Sequence, residues 1–448
     1  MRRNKLAVAV LGTLLSMGAQ AGTYVLHASK WGPSQQATVQ KAGGTVTFSH
    51  SGAGVALVES TNPNFLSVAL AGGVIAGGAL DRVVQWTDPI TMDLDQSAVN
   101  PVNDPLSFLQ WSLTAVDAPG AWALGYTGQG VRVAVIDGGI HSTHPDLAAN
   151  IDTAAARSFV TGGVAGLGGC PATAYNCDTG TFWHGTHVAG IIAAIDNTRG
   201  VVGIAPKATI VPVKALHAGS GSFGAVIGAI LYAGDPSAAG GRADIINMSL
   251  GALFPKNDVD ASELRHALSK AVNYAVDNGT LVVAAAGNES LDMDHNGILV
   301  STPAESGKAM AISATGPVGF AFGATNFRRP ASYTNYGNSL VTMAGPGGDA
   351  VYPGEELCLG TIPCWALDMV LSTSRGRLAS LGGYTWAAGT SMASPAVAAV
   401  AALVKQKNPG STAAQLQSAL IKSADDEGKP GTDPFYGRGF VNARKAVQ

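Results

Sequence analysis

The later part of the chain is punctuated by short, almost purely apolar runs at residues 131–136, 209–213, 245–249, 281–285 and 310–314. Runs of that length without polar alternation fit strands covered on both faces. Between them lie helical stretches, including 188–194, 223–233 and 263–277. Strands alternating with helices imply an α/β domain with a parallel sheet and right-handed crossovers, where function gathers at the carboxyl ends of the strands. Asp137, Ser249 and Asn288 fall at or just beyond such ends.

The earlier part follows another pattern. Residues 23–27 read as a strand, 33–41 as a short helix stopped by Gly43-Gly44, and 45–48 as a second strand. A turn at 51–54 leads to a third strand at 55–59, a second helix at 62–70 and a final strand at 82–86. That order, β-α-β-β-α-β, is the ferredoxin-like α+β arrangement. From Thr87 to Leu109 the chain turns Pro- and Asp-rich, with Pro89, Asp93, Asp95, Pro101, Asp104 and Pro105, and keeps no sustained period. It reads as an exposed, cleavable linker. The expected division is therefore a small unit at 22–87, a linker at 88–109 and a large domain at 110–448.

Ahead of the small unit stand Arg2, Arg3 and Lys5, an apolar run at 6–15, and Ala19-Gln20-Ala21, a small-x-small pattern. This predicts a signal peptide at 1–21, removed after Ala21; Arg2-Arg3 also suits twin-arginine export. The apolar run falls short of the roughly 20 residues that span a bilayer, and no later segment is longer. The expectation is a soluble protein, secreted to the extracellular or periplasmic space. Composition agrees with a large core, 46% of the 448 residues being apolar. Charged residues make up only 13%, the net charge is −3, and no Lys or Arg run points to a nucleic-acid partner. The four cysteines fall into two close pairs, Cys170 with Cys177 and Cys358 with Cys364. In an exported chain an even count favours disulfides over metal or redox roles. Of the three possible connectivities local pairing is expected, the alternative being four free thiols.

Three segments carry candidate chemistry. Asp137 ends the 131–136 run and precedes Gly138-Gly139, so its carboxylate can project from a turn at the sheet edge; alone, such an Asp is as easily a turn former. The segment His184-Gly185-Thr186-His187-Val188-Ala189-Gly190 opens a small-residue helix, with one imidazole near that edge and the other a turn deeper. A zinc pair would need a nearby Glu and a third ligand, neither of which is evident. Gly389-Thr390-Ser391-Met392-Ala393-Ser394-Pro395 leads into a helix at 396–405 that can only be buried. Ser391 then sits at a helix N-terminus, where free N–H groups and the positive dipole end favour a developing oxyanion. Simple capping would not explain so many small residues around it.

Together, Asp137-Gly138-Gly139-Ile140 with His144-Pro145-Asp146-Leu147, then His184-Gly185-Thr186-His187, then Gly389-Thr390-Ser391-Met392-Ala393-Ser394-Pro395, resemble the three signatures of the subtilisin-like serine proteases in that family's order. The resemblance covers about residues 111–446, and the small N-terminal unit resembles the family's inhibitory propeptide. It implies a three-layer fold with a mostly parallel central sheet, preceded by that unit, and a serine endopeptidase self-processed from a precursor. Ser391 would be the nucleophile, His184 the general base and acid, and Asp137 the orienting carboxylate; His187 would be structural. Ala284-Ala285-Ala286-Gly287-Asn288 resembles the family's oxyanion segment, so Asn288 would donate its amide to the tetrahedral intermediate alongside the Ser391 N–H. Gly219-Ser220-Gly221 and Ser249-Leu250-Gly251 resemble the two edges that hold an extended peptide through backbone bonds. Leu250, Ala286 and Gly287 would wall the first pocket, favouring apolar or aromatic residues before the cleaved bond.

The resemblance also implies protein or peptide substrates, the propeptide as transient inhibitor, a monomer, no membrane partner, and no cofactor required for the chemistry. A structural calcium is the family's common addition. Asp292-Met293-Asp294-His295-Asn296-Gly297 matches the first half of a calcium loop, but its twelfth position is Pro303 instead of Glu, so the bidentate ligand is missing. Asp146 lies where the family often recruits a calcium ligand, with no partners evident, and the metal ligands stay unknown. The two cysteine loops look like additions that rim the cleft. A nucleotide reading of Gly125-Tyr126-Thr127-Gly128-Gln129-Gly130 fails because that loop precedes its strand.

Overall fold

The computed structural model describes residues 21–93, 106–238, 240–360, 362–376 and 382–448. The expected signal peptide, apart from Ala21, and the middle of the expected linker lie outside the described residues.

Seven strands form the central sheet in the order Met343–Pro346, Met310–Thr315, Leu281–Ala285, Ile245–Met248, Arg132–Asp137, Thr209–Lys214 and Arg157–Ser158, and all its pairings are parallel. The five apolar runs are its five inner strands. The two edges escaped the sequence reading because Arg157–Ser158 is short and polar and Met343–Pro346 carries Gly and Pro. Side chains alternate between faces. Val133 and Val135 join one core cluster with the helices His184–Ala193 and Thr390–Lys407, while Ala134 and Ile136 join another with Phe223–Gly234 and Val259–Asp277. Helices on both faces of a parallel sheet give the three layers that the resemblance implies.

The N-terminal unit has the strand order Gly44–His50, Val55–Ser60, Gly22–His27, Gly77–Leu80, with antiparallel pairs, and the helices Pro33–Lys41 and Phe65–Leu70. This is the ferredoxin-like order, but its last strand is Gly77–Leu80 and not 82–86. The glycines that made this segment look unlike a strand are needed there, since a Cβ on Gly78 would lie 2.5 Å from the Val25 carbonyl oxygen and the Leu26 side chain. Val83–Gln85 instead pairs antiparallel with Ser220–Ser222 of the large domain. Both ends of the 88–109 segment are likewise ordered. Ile90–Asp93 adds to the strand Gly383–Ala388, and Leu106–Leu109 forms a 3₁₀ turn that buries Leu106 and Leu109. Strand pairing at the first end and burial of Leu106 and Leu109 at the second outweigh the Pro and Asp content that suggested a loose tether.

The unit docks on the helices Phe223–Gly234 and Val259–Asp277. His27 Nε2 lies 2.6 Å from Glu263 Oε2, His50 Nε2 lies 3.0 Å from Asp235 Oδ2, and Arg82 pairs with Asp258 at 2.6 Å. Asp81 accepts the Gly224 N–H (3.1 Å) at the start of the Phe223–Gly234 helix, complementing the helix dipole; burial holds its carboxyl above the usual carboxylate range.

Candidate active site

Asp137 closes its strand at the carboxyl end of the sheet. Its carbonyl accepts the N–H groups of Ala215 (2.9 Å) and Leu216 (3.1 Å), and its carboxylate, 1% exposed, meets His184 Nδ1 with both oxygens at 2.9 and 2.8 Å. A carboxylate on Nδ1 keeps the proton there and leaves Nε2 as the basic atom. His184 Nε2 is buried without a hydrogen-bond partner. His184 is the first residue of its helix, preceded by Trp183 at φ 46°. A left-handed aromatic residue is strained and must be held by its surroundings. Here the indole donates to the Gly180 carbonyl (3.1 Å) and the Arg375 guanidinium lies 5.4 Å over the ring. His187, one turn on, is fully buried and bonded to the Thr385 carbonyl (2.9 Å); burial pulls its pKa down to about 3, so it stays neutral and structural.

Ser391 lies in the first turn of Thr390–Lys407, whose residues are buried as far as Val404. Pro395 has no N–H to offer the Ser391 carbonyl four residues back. That carbonyl instead accepts the Ser249 hydroxyl (2.7 Å), which itself accepts from Asn247 Nδ2 (2.9 Å), and Asn247 Oδ1 accepts the Ser394 hydroxyl (2.7 Å). A polar chain thus ties the turn bearing Ser391 to the strand Ile245–Met248. The Ser391 Oγ donates to the Ser249 carbonyl (3.2 Å) and must rotate to meet an imidazole, a bond that many such sites close only in the reacting complex.

Asn288 follows the strand Leu281–Ala285. Its Oδ1 accepts both the N–H and the hydroxyl of Thr390, each at 2.8 Å, which directs its NH₂ the other way. A Cβ built on Gly389 would stand 3.5 Å from Asn288 Nδ2 and 3.6 Å from the Ser391 nitrogen. Two donors therefore flank one small space that any larger residue at 389 would fill, the geometry that stabilises a developing oxyanion. Asn335 holds the loop from beneath. Fully buried, it accepts from the N–H groups of Glu289 (3.2 Å) and Leu291 (3.0 Å) and donates to Glu289 (2.6 Å) and the Ala286 carbonyl (3.2 Å). Gly287, at φ 109°, passes so close that a Cβ would meet Asn335 Nδ2 at 2.3 Å. Asn335 belongs to no motif and was not anticipated.

Both expected peptide edges carry an extended segment, and it is the chain's own. Gln85 and Val84 pair with Ser220 and Gly221. Trp86 donates its N–H to the Gly219 carbonyl (2.8 Å) and accepts from the Gly251 N–H (2.9 Å). The Trp86 indole donates to the Gly221 carbonyl (2.8 Å) and packs against Phe223 and Phe254. Leu250, in the middle of the second edge, and Ala286 are fully buried. Thr87, Asp88 and Pro89 line one cavity together with Phe182, Trp183 and His184. With Ile90 paired to Ala388, the segment is held by strand pairing on either side of the stretch that faces His184.

The cysteines pair locally, Cys170 with Cys177 and Cys358 with Cys364. Asp178, the residue after Cys177, lines the cavity beside His184, although neither cysteine of the first bridge does. The second bridge sits by the small hairpin of Leu357–Leu359 with Ile362–Pro363 and contributes nothing to that cavity among the described residues. Neither acidic candidate makes a convincing calcium site. Asp146 accepts from the Val201 N–H (3.1 Å), Tyr384 hydroxyl (2.9 Å) and Asn197 amide (3.2 Å). Asp292 takes the Asp294 N–H and His295, while Asp294 turns away to Asn338 and Ser339, whose N–H groups hold its pKa down to about 2. Among the described residues no three His, Cys, Asp or Glu side chains group to hold a metal.

Comparison with known proteins meets this geometry. Residues 128–439 match the family model of the subtilases. The chain is 36% identical over 340 residues to subtilisin Savinase of Lederbergia lenta, covering 75% of this chain and 98% of the relative. It is 35% identical over 363 residues to M-protease of Shouchella clausii, covering 81% and 75%. Among solved structures, a protease of Pseudoalteromonas arctica superposes with a TM-score of 0.57 at 31% identity over 78% of this chain and 99% of that one. The epidermin leader peptide processing serine protease of Staphylococcus aureus shares the fold, with a TM-score of 0.72 at 20% identity over 96% and 99%. A family model that spans most of the chain, and relatives this similar over three quarters or more of their length, lead to one conclusion: the chain belongs to the subtilase family and is a serine endopeptidase.

Proposed function

We propose that the protein is secreted as a precursor and hydrolyses peptide bonds through an acyl-enzyme at Ser391, with His184 as base and acid and Asp137 orienting the imidazole. Ser391 Oγ attacks the scissile carbonyl while His184 Nε2 takes its proton and later delivers it to the leaving amine. Asn288 and the Ser391 N–H receive the oxyanion. The observation that carries this reading is the buried Asp137 carboxylate on His184 Nδ1, which leaves Nε2 without a partner. Gly219, Ser220 and Gly221 on one side and Ser249, Leu250 and Gly251 on the other hold the substrate main chain. Such backbone bonds ignore side-chain identity and give broad specificity, with Leu250, Ala286 and Gly287 walling the first pocket.

In the same reading, residues 1–21 are a signal peptide, 22–87 an inhibitory propeptide and 88–109 the segment in which the chain cuts itself; the mature enzyme is a monomer. The strand pairing of Val83–Gln85 with Ser220–Ser222 supports this, because the unit occupies the edges that a substrate needs. The test is to express the precursor and its Ser391→Ala variant for secretion and compare intact masses. Wild type is expected to lose everything up to the 88–109 segment, while the variant keeps residues from Gly22 onward. If both retain the N-terminal unit, self-processing is wrong. Digestion of denatured casein at only a few bonds would replace broad specificity with dedicated processing.

A further inference from the structure

A buried cation stands behind Asp137. Lys214 is 0% exposed and is the ladder partner of Asp137 in the adjacent parallel strand. Its ammonium donates to the Cys177 carbonyl and lies 3.1 Å from His217 Nδ1. His217 Nε2 donates to the Val164 carbonyl (2.7 Å), while its Nδ1 lies between the Lys214 ammonium and Asp178 Oδ1 (3.4 Å). Asp178, the residue after Cys177, is buried too. It accepts the N–H groups of Ala218 (2.9 Å), Thr179 (2.9 Å) and Gly139 (3.3 Å).

This cluster bears on the turn after Asp137. A Cβ on Gly138 would meet Asp178 Oδ2 at 2.3 Å, and one on Gly139 would meet the Cys177 carbonyl at 2.2 Å. The disulfide-closed loop is therefore pressed onto both residues that follow the carboxylate. Two buried carboxylates and no cation would be costly, since a buried charge without a counter-charge is poorly solvated. Lys214 is the cation within reach. Burial lowers its pKa to about 8, against the pull of Asp178 and Asp137. Arg157, on the neighbouring edge strand, turns instead over the Phe159 and Tyr232 rings.

We propose that Lys214, anchored by the Cys170–Cys177 loop and Asp178, is a positioning residue for Asp137 that also lowers the proton affinity of the Asp137–His184 pair. The inference rests on the triad reading above. The Lys214 cation fills as pH falls through about 8 and faces Asp137, Asp178 and His217, with His184 beyond Asp137. Removing a positive charge there makes a cationic imidazole beside Asp137 more favourable.

The test measures kcat and KM against pH for the mature enzyme. In Lys214→Met the acid limb of kcat/KM should move up by about 0.5 to 1 pH unit, with kcat lowered about tenfold through misplacement of the turn and KM little changed. Lys214→Arg should bring the limb back toward wild type. Cys170→Ser/Cys177→Ser should lower kcat several-fold, whereas Cys358→Ser/Cys364→Ser should not. An active Lys214→Met enzyme with an unmoved limb overturns the proposal. So does a Cys170→Ser/Cys177→Ser enzyme with wild-type kcat, the arm that decides if Lys214→Met fails to fold. Neither result touches the triad, which falls only if Ser391→Ala still hydrolyses the same peptide.

Discussion

Asn288 spends its carbonyl oxygen on Thr390 and keeps its amide hydrogens for the space beside Gly389. On the proposed assignment Asn288→Ala should lower kcat by about 10²- to 10³-fold with KM nearly unchanged, the loss seen when a subtilisin is deprived of its side-chain oxyanion donor. Gly389→Ala should act in the same direction by filling that space, while thermal unfolding stays close to wild type. Equal losses in kcat and in melting temperature would mean that both residues matter for folding only. Residue by residue, what could be read beforehand was what a local motif carries: Asp137, His184, Ser391 and Asn288 each stand in a recognisable string. Lys214, Asn335 and Asn247 act through contacts with residues far along the chain, and no local spacing announces those. His217 and Asp178 gave no signal for the same reason, their partnership existing only once the 170–178 loop folds back.

At the scale of elements, the helix Thr390–Lys407 shows how a defect is absorbed. Pro395 removes one helical hydrogen bond in its first turns, and Ser249 supplies the replacement from the neighbouring strand's end. Ser249→Ala should leave the buried Ser391 carbonyl unpaired, at a cost of about 1–3 kcal/mol measurable as a lower melting temperature of the Ser391→Ala precursor, in which self-digestion cannot intervene. Ser249→Thr, which keeps the hydroxyl, should recover part of it; no difference between Ala and wild type would mean that the bond is dispensable. The inner strands were plain in the sequence because burial on both faces demands unbroken apolar runs. Edge strands lack that demand, which is why Arg157–Ser158 and Met343–Pro346 went unread. Gly77–Leu80 was passed over for another reason, since closeness of backbones there selects glycine over any strand-forming residue.

Across the whole molecule, the reading of a large α/β domain preceded by a small α+β unit agrees with the layers and strand orders observed. What the pattern could not convey was their union. Val83–Gln85 at the end of the small unit and Ile90–Asp93 just after it both take their partners from strands of the other domain, Ser220–Ser222 and Gly383–Ala388. Composition records only what a segment is made of, and these residues take their form from what they lie against.

If the chain cuts itself as proposed, strand pairing on both sides of residues 87–89 has a kinetic consequence. Breaking one bond between the flanks turns a single threaded chain into two ends, each still hydrogen-bonded where it was, so cleavage and release become separate events. Release then sets the clock. Purified precursor freshly brought to activity should show a lag before a small chromogenic peptide is turned over, during which gel analysis already finds the chain cut. Because the first molecules to empty their clefts can digest the units still seated in others, the lag should shorten as total protein is raised. A lag that ignores concentration would make unaided dissociation the whole timer, and no lag at all would mean that the cut itself opens the site.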